Sequence, residues 1–357
     1  MASLLMTWEV ILEKAVQQTK ARDEIGQHKL LFCSLLFILV FIISLFLGRY
    51  SISFSEYKNI ASHFGDFITG KTIDNPAVLI FYKVRLPRIL LAALVGAGLA
   101  VSGLVFQQVF KNPIASPDIL GITSGASFGA ALGILLPIEF PGIVQIFAFS
   151  FGIMALVMAY TLKRCSKDNN ILYLVLSGII VSAFFSALLA IVKYLADPYE
   201  QLPSIIFWAM GGLHRANWTN TLGAMLIIVP VIGVINKLRF KLKMLSLNDD
   251  IAKTMGMDVS KTRNFILALV SFVVCFSVSI CGTIGWISLI IPHMTRIILG
   301  YKNKYIYLIT SLIGATTLII FDDLARALTT SEIPVGILTA AIGAPVLAYL
   351  LIFKKTI

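Results

Sequence analysis

Long apolar runs separated by short polar stretches divide this chain almost from end to end. Taking roughly 18 to 22 apolar residues per membrane span, about ten spans are predicted, at residues 30–48, 87–107, 119–137, 143–162, 171–193, 218–236, 264–281, 284–299, 305–321 and 335–353. A shorter apolar piece at 205–213 cannot cross. With His214, Arg215 and Trp218 it reads as a half-helix at the outer face, a form of backbone tolerated only beside protein or a cavity. Ahead of the first span, Leu4, Trp8, Ile11, Leu12 and Ala15 share a helical face opposite Glu9, Glu13 and Lys14, which predicts an amphipathic, interfacial helix in residues 1–29. The expected fold class is therefore an all-α polytopic membrane protein, with a transmembrane domain over 30–357.

The longest polar interruption of the second half, 237–263, reads as a docking loop. Within it, Asn248 or Asp249 can cap a short helix, Ile251, Ala252 and Met255 give that helix an apolar face, and Gly256 suits its left-handed end. A short helix between two spans has no membrane to sit in, so its apolar face needs another partner.

Composition sharpens this picture. Of 357 residues 58% are hydrophobic and 13% charged, and the mean hydropathy is +0.90, which excludes an ordinary soluble domain. Basic residues favour one side: Lys20, Arg22, Lys163, Arg164, Lys354, Lys355 and the docking loop's Lys237, Arg239, Lys241, Lys243, Lys253, Lys261 and Arg263 fall together if both termini are cytoplasmic. The net charge of +11 thus needs no nucleic acid to explain it. Cys33, Cys165, Cys275 and Cys281 show no metal-ligand spacing, so neither a structural disulfide nor a metal or cofactor site is expected. No small-residue cleavage site follows the first apolar run, so it is not read as a removable signal.

Several motifs carry further expectations. The outer segment 49–84 contains GDFITGKT, which satisfies the phosphate-loop pattern, but no apolar strand precedes it and Asp74, Asn75 and Pro76 follow, so nucleotide binding by Lys71 is rejected on context. Gly121, Gly125, Gly129 and Gly133 form a stripe suited to tight helix packing or to lining a pathway. In the fifth span Gly178, Ser182, Ser186 and Ala190 repeat that spacing with hydroxyls, which either bond a neighbour or face a wet cavity. The eighth span holds Pro292 and a lone His293, which has no second ligand at metal spacing. Arg326 follows Asp322 and Asp323 at ion-pair spacing. Two halves of four spans each, with small-residue stripes, hint at internal duplication.

Taken in order, RLPRILLAALVGAGLAVSGLVFQQVFKNPIASPDILGITSGA, FWAMGGL, LNDDIAKTMGMDVSKTR, GTIGWISLIIPHMTR, DDLAR and EIPVGILTAAIGAP resemble the FecCD-type permease subunits of ATP-binding-cassette importers for iron–siderophores, haem and vitamin B12. The resemblance covers nearly all of 80–353. It implies a type II importer permease in the inner membrane. Its partners would be a second permease subunit, usually an identical copy, two cytoplasmic ATPase subunits and an extracytoplasmic substrate-binding protein. It also implies ATPase coupling through Asn248, Asp249, Asp250, Ala252, Thr254, Met255 and Gly256. Arg85, Arg88 and Arg326 would form an outer rim for the binding protein, and Gly178, Ser182, Ser186, Trp208, Met210 and Gly211 a pathway wall. Ferric siderophore is the leading cargo, with haem and cobalamin as alternatives. Residues 1–29 exceed what the family usually needs, and GGLH stands where G-S-L is common, beside the pathway. The rival class is an ion-gradient-driven secondary transporter, which would need ionisable groups at mid-membrane; the spans carry no Asp, Glu or Lys near their centres. An enzyme is not expected, since no nucleophile, base and metal converge.

Overall fold

The computed structural model describes residues 2–48, 50, 52–69, 74–137, 140–166, 171–300, 303–329 and 331–353, and within them the side chains of all but 2–22, 54, 68, 351 and 353. The amphipathic face expected near Trp8, and Lys71 of the phosphate-loop match, lie outside the described residues. Among those described, regular structure is helical throughout: α1 (Ala2–Phe46), three short helices α2 (Phe54–Ser62), α3 (Phe64–Ile68) and α4 (Pro76–Ile80), then α5 (Leu86–Val109), α6 (Ile122–Leu135), α7 (Ile143–Cys165), α8 (Ile171–Leu195), the short α9 (Gln201–Ala209), α10 (Trp218–Lys237), the loop helices α11 (Arg239–Leu245) and α12 (Asp249–Thr254), and α13 (Val259–Cys281), α14 (Ile287–Leu299), α15 (Ile306–Ala327) and α16 (Val335–Phe353). Seven helices are long and apolar enough to cross a membrane, and α6, α14 and α16 are shorter apolar helices. Together they are the ten expected, in an all-α polytopic membrane protein.

Helix limits differ from the hydropathy pattern where the backbone has a reason to turn. α6 starts three residues late because Ser116 is extended, Pro117–Leu120 forms a 3₁₀ turn and Gly121 sits at φ 77°, a left-handed conformation that glycine adopts freely. α14 likewise starts after an extended break, with Gly282 at φ 68° and ψ −160°, a region essentially reserved for glycine. α15 runs on past Asp322 and Asp323 to Ala327. α1 is one helix, with no break at residue 29. α4 and α5 are joined by a π-helical turn, Phe81–Arg85, and the Trp218 indole donates to the Tyr82 carbonyl at 2.8 Å within it.

The core is organised around α5, which packs against α1, α10, α13, α14 and α15 and is buried nearly all round. Such a helix can be enclosed only if its neighbours come close, and small residues permit that. A Cβ added to Gly96 would strike the carbonyl of Gly314 on α15, one on Gly314 would strike that of Gly96, and one on Gly103 would strike the carbonyl of Ser288 on α14. The Gly125–Gly129–Gly133 stripe of α6 packs on α7: a Cβ at Gly125 would lie 2.6 Å from the Phe151 carbonyl oxygen, and one at Gly133 3.1 Å from the Val144 Cα. The stripe is a packing surface.

Gly125→Leu should therefore lower stability by ~1–3 kcal/mol, read as a fall in melting temperature of the purified protein in detergent. At Gly233 on α10 an added Cβ would meet nothing within 4 Å, so Gly233→Leu should leave the melting temperature within experimental scatter.

Candidate translocation cavity and coupling surface

Three chain segments cross where α9 ends, where α13 breaks and where α16 begins. The Gly212 amide donates to the Cys281 carbonyl at 2.7 Å, the Gly336 amide to the Gly211 carbonyl at 3.3 Å, and the Thr283 hydroxyl to the Ala209 carbonyl. Glycine makes the crossing possible: Gly211 holds φ 70°, a Cβ there would strike the Thr283 carbonyl, and one at Gly336 would lie 2.7 Å from the same oxygen. Below the crossing opens a cavity of about 810 Å³, walled by Leu99 of α5, Val274 and Val278 of α13, and Ala340 and Ala341 of α16. Its polar lining comes from Asp118, Thr123, Ser124, Thr283 and Ser288. Trp286, also on the wall, sits at φ 67°, uncommon for a bulky residue and of the kind that gathers at functional sites.

The basic loop α11–α12 forms the opposite feature, an exposed knob. Asn248 caps α12, its side-chain oxygen accepting from the Asp250 amide at 3.4 Å, and Gly256 follows at φ 81°. Asp249 braces the knob to the body: its carboxylate accepts from Arg263 of α13 at 2.7 and 2.9 Å, and from Lys111, just past α5, at 2.9 Å. Burial alone would raise the Asp249 carboxyl, but the Arg263 and Lys111 hydrogen bonds outweigh it and hold it below the ordinary carboxylate range. Ala252 is turned inward and buried, while Ile251 and Met255 are each about half exposed, at 52% and 53%. Asn248, Asp250, Thr254 and Gly256 are exposed.

At the far end of the bundle, charge is buried rather than displayed. Arg88 is bound by Asp322 at 2.8 to 3.0 Å through two nitrogens and by Glu332 at 3.0 Å. Arg326 pairs with Asp322 at 3.2 Å and with Asp323, and Ser44 of α1 donates to Asp323 at 2.6 Å. Arg85 turns to α1, donating to the Leu45 carbonyl at 2.7 Å, the Tyr50 carbonyl at 2.9 Å and the Tyr57 hydroxyl at 3.1 Å. The Leu45 carbonyl is one that the end of α1 leaves without an internal partner, and a cation suits the negative end of the helix dipole.

Sequence and fold are both similar to those of known proteins. A model of the FecCD transport family matches residues 36–353. The chain belongs to that family. The molybdate import system permease protein MolB of Haemophilus influenzae is 39% identical over 324 residues, covering 90% of this chain and 95% of its own. The hemin transport system permease protein HmuU of Yersinia pestis is 34% identical, covering 77% of this chain and 84% of its own. A solved structure described as an inward-facing conformation of a metal-chelate type ABC transporter superposes with a TM-score of 0.79 at 36% identity, covering 91% of this chain and 98% of the other.

As a FecCD permease the chain departs from three expectations. The Ile251–Ala252–Met255 face is split, because Ala252 fills the contact with the body and only Ile251 and Met255 are left outward. Arg85, Arg88 and Arg326 present no exposed rim: they are 3%, 6% and 8% exposed, and their forks are occupied by carboxylates, main-chain carbonyls and hydroxyls. Of the pathway candidates, Met210 lines the cavity. Gly178 packs on the Ile119 carbonyl, Gly211 belongs to the crossing and Trp208 is buried, whereas Ser182 is half-buried and Ser186 is exposed on the apolar outer surface of α8. The cavity residues that periodicity missed, Asp118, Thr123, Thr283 and Trp286, lie at helix breaks. There the local glycines and prolines were the signal to follow.

Removing one partner from a buried ion pair strands the other, at a cost of about 3–5 kcal/mol. Asp322→Asn should therefore sharply reduce the melting temperature and yield of the purified protein, whereas Glu332→Gln, at a side chain 28% exposed, should lower them little. Equal losses in the two variants would contradict this ranking.

Proposed function

We propose that this chain is the membrane-spanning subunit of a binding-protein-dependent ABC importer, acting as one of a pair, usually of identical copies, and driven by ATP hydrolysed on two separate ATPase subunits. The cargo is a metal chelate, ferric siderophore first and haem or cobalamin next. The bundle lies in the inner membrane with both termini and the α11–α12 knob in the cytoplasm, in keeping with the placement of the basic residues.

The observation that carries this reading is the knob itself. Ile251 and Met255 project from a short helix that is rigidly tied by Asp249 to both α5 and α13. An exposed apolar pair on a stiff mount suits insertion into a groove of a partner protein, and the same ties would carry that partner's motion into the core. Asn248, Asp250, Thr254 and Gly256 would flank the contact, with Ala252 and Asp249 supporting it from behind. The binding protein lands at the far end, where Arg85, Arg88 and Arg326 act by fixing the ends of α1, α5 and α15 beneath the landing surface. A secondary transporter is disfavoured because a coupling-ion site needs several converging ligands; among the described residues no group of three or more His, Cys, Asp or Glu is placed to hold a metal ion, and the acidic cluster of Asp322, Asp323 and Glu332 is paired with Arg88 and Arg326.

Replacing both Ile251 and Met255 by Asp should reduce co-purification of the ATPase subunits and ATP-dependent uptake by at least about tenfold, as expected for loss of the apolar centre of an interface, while membrane insertion and melting temperature hold. Native co-purification in that variant would rule out α12 as the coupling element.

A further inference from the structure

The 810 Å³ cavity has a single ionisable side chain on its wall. Among the described residues lining it there is no Lys, Arg or His, and the remaining polar side chains are the hydroxyls of Thr123, Ser124, Thr283 and Ser288 and the Trp286 indole. Asp118 is exposed to this space. It accepts a hydrogen bond from the Thr123 hydroxyl and forms none of the ion pairs found among the described residues. It lies on the connection between α5 and α6, exposed at the cavity wall. Its 3₁₀ turn packs beside Gly178 of α8, where a Cβ would strike the Ile119 carbonyl, about 10 Å along α8 from its first residue. An acidic side chain on the wall of a cavity in a membrane bundle, with no basic side chain lining that cavity among the described residues, is of the kind that commonly marks a substrate path.

We infer that Asp118 makes this cavity selective by charge, so that it passes neutral or cationic chelates and disfavours small oxyanions. The inference rests on the importer reading and narrows its cargo. Size points the same way: a tetrahedral oxyanion fills about the space of four waters, roughly 120 Å³, a small part of the cavity. In a paired permease each copy brings its own Asp118, which doubles the negative charge met along the path. Low-dielectric walls focus such a field.

The test reads the potential directly with thiol reagents of opposite charge, which form a mixed disulfide as the thiolate displaces methanesulfinate. The permease–ATPase complex in lipid nanodiscs would carry Ser124→Cys as reporter and Cys165→Ser to remove the exposed native thiol, Cys33, Cys275 and Cys281 being buried. Relative to a free small thiol, the trimethylammonium reagent should react roughly tenfold faster than the sulfonate reagent. Asp118→Asn should bring the ratio close to the free-thiol value, and Asp118→Glu should preserve it. If Ser124→Cys disturbs the fold, Ala340→Cys reads the same cavity from α16. A flat ratio, or one that Asp118→Asn leaves unchanged, overturns the assignment. So does ATP-dependent accumulation of molybdate by proteoliposomes holding the complete importer. Failure of the importer reading is seen separately, as loss of ATPase association and coupling in the same preparation, because the reagent ratio needs no transport.

Discussion

The fold depends on one steric condition: main chains must be able to touch. α5 is surrounded by other helices, and the apolar surface it buries gains nothing over lipid tails, so its packing has to come from close van der Waals contact. At Gly96 against Gly314, and at Gly103 against Ser288, that contact is between backbones. The same condition recurs under different geometry at the crossing of Gly211, Gly282 and Gly336, where glycine provides both the missing Cβ and the left-handed or extended dihedrals that let the segments of chain pass. Scaffold and cavity roof are thus built on one device.

Polar chemistry is placed at the two ends of this scaffold with opposite logic. At the far end Arg88 and Arg326 are drawn together with Asp322, Asp323 and Glu332, largely buried, each guanidinium lying between carboxylates, and Arg85 beside them is held by main-chain carbonyls and the Tyr57 hydroxyl. Satisfaction of buried charge and of the last carbonyls of α1 is the governing requirement there. At the knob end Lys111 and Asp249 keep part of their surface exposed while Arg263 is buried, and the Asp249 carboxylate ties the two cations to one short helix.

How much of this was legible in the chain differs by feature. Number, order and approximate limits of the apolar helices followed from hydropathy, and the α12 cap and stop from Asn248 and Gly256, because these depend on local sequence alone. The direction in which Ala252 faces did not follow: a six-residue helix has too little periodicity to separate a face turned to the body from one turned outward. Short-range spacing pointed to the pairing of Arg326 with Asp322 and Asp323, but not to Asp322 and Glu332, distant in sequence from Arg88, occupying that arginine. Asp118 and Trp286 were not legible because they stand in interruptions between helices, where amphipathic pattern carries no information and the tertiary crossing decides what faces the cavity.

The double tie at Asp249 has a consequence for how work would travel. A lever fastened to one helix can only tilt it. A lever fastened to two, one through Lys111 at the foot of α5 and one through Arg263 near the foot of α13, applies a couple to the pair, and both members reach the cavity wall, through Leu99 and through Val274 and Val278. A small rotation of α12 would thereby be converted into shear across the chamber.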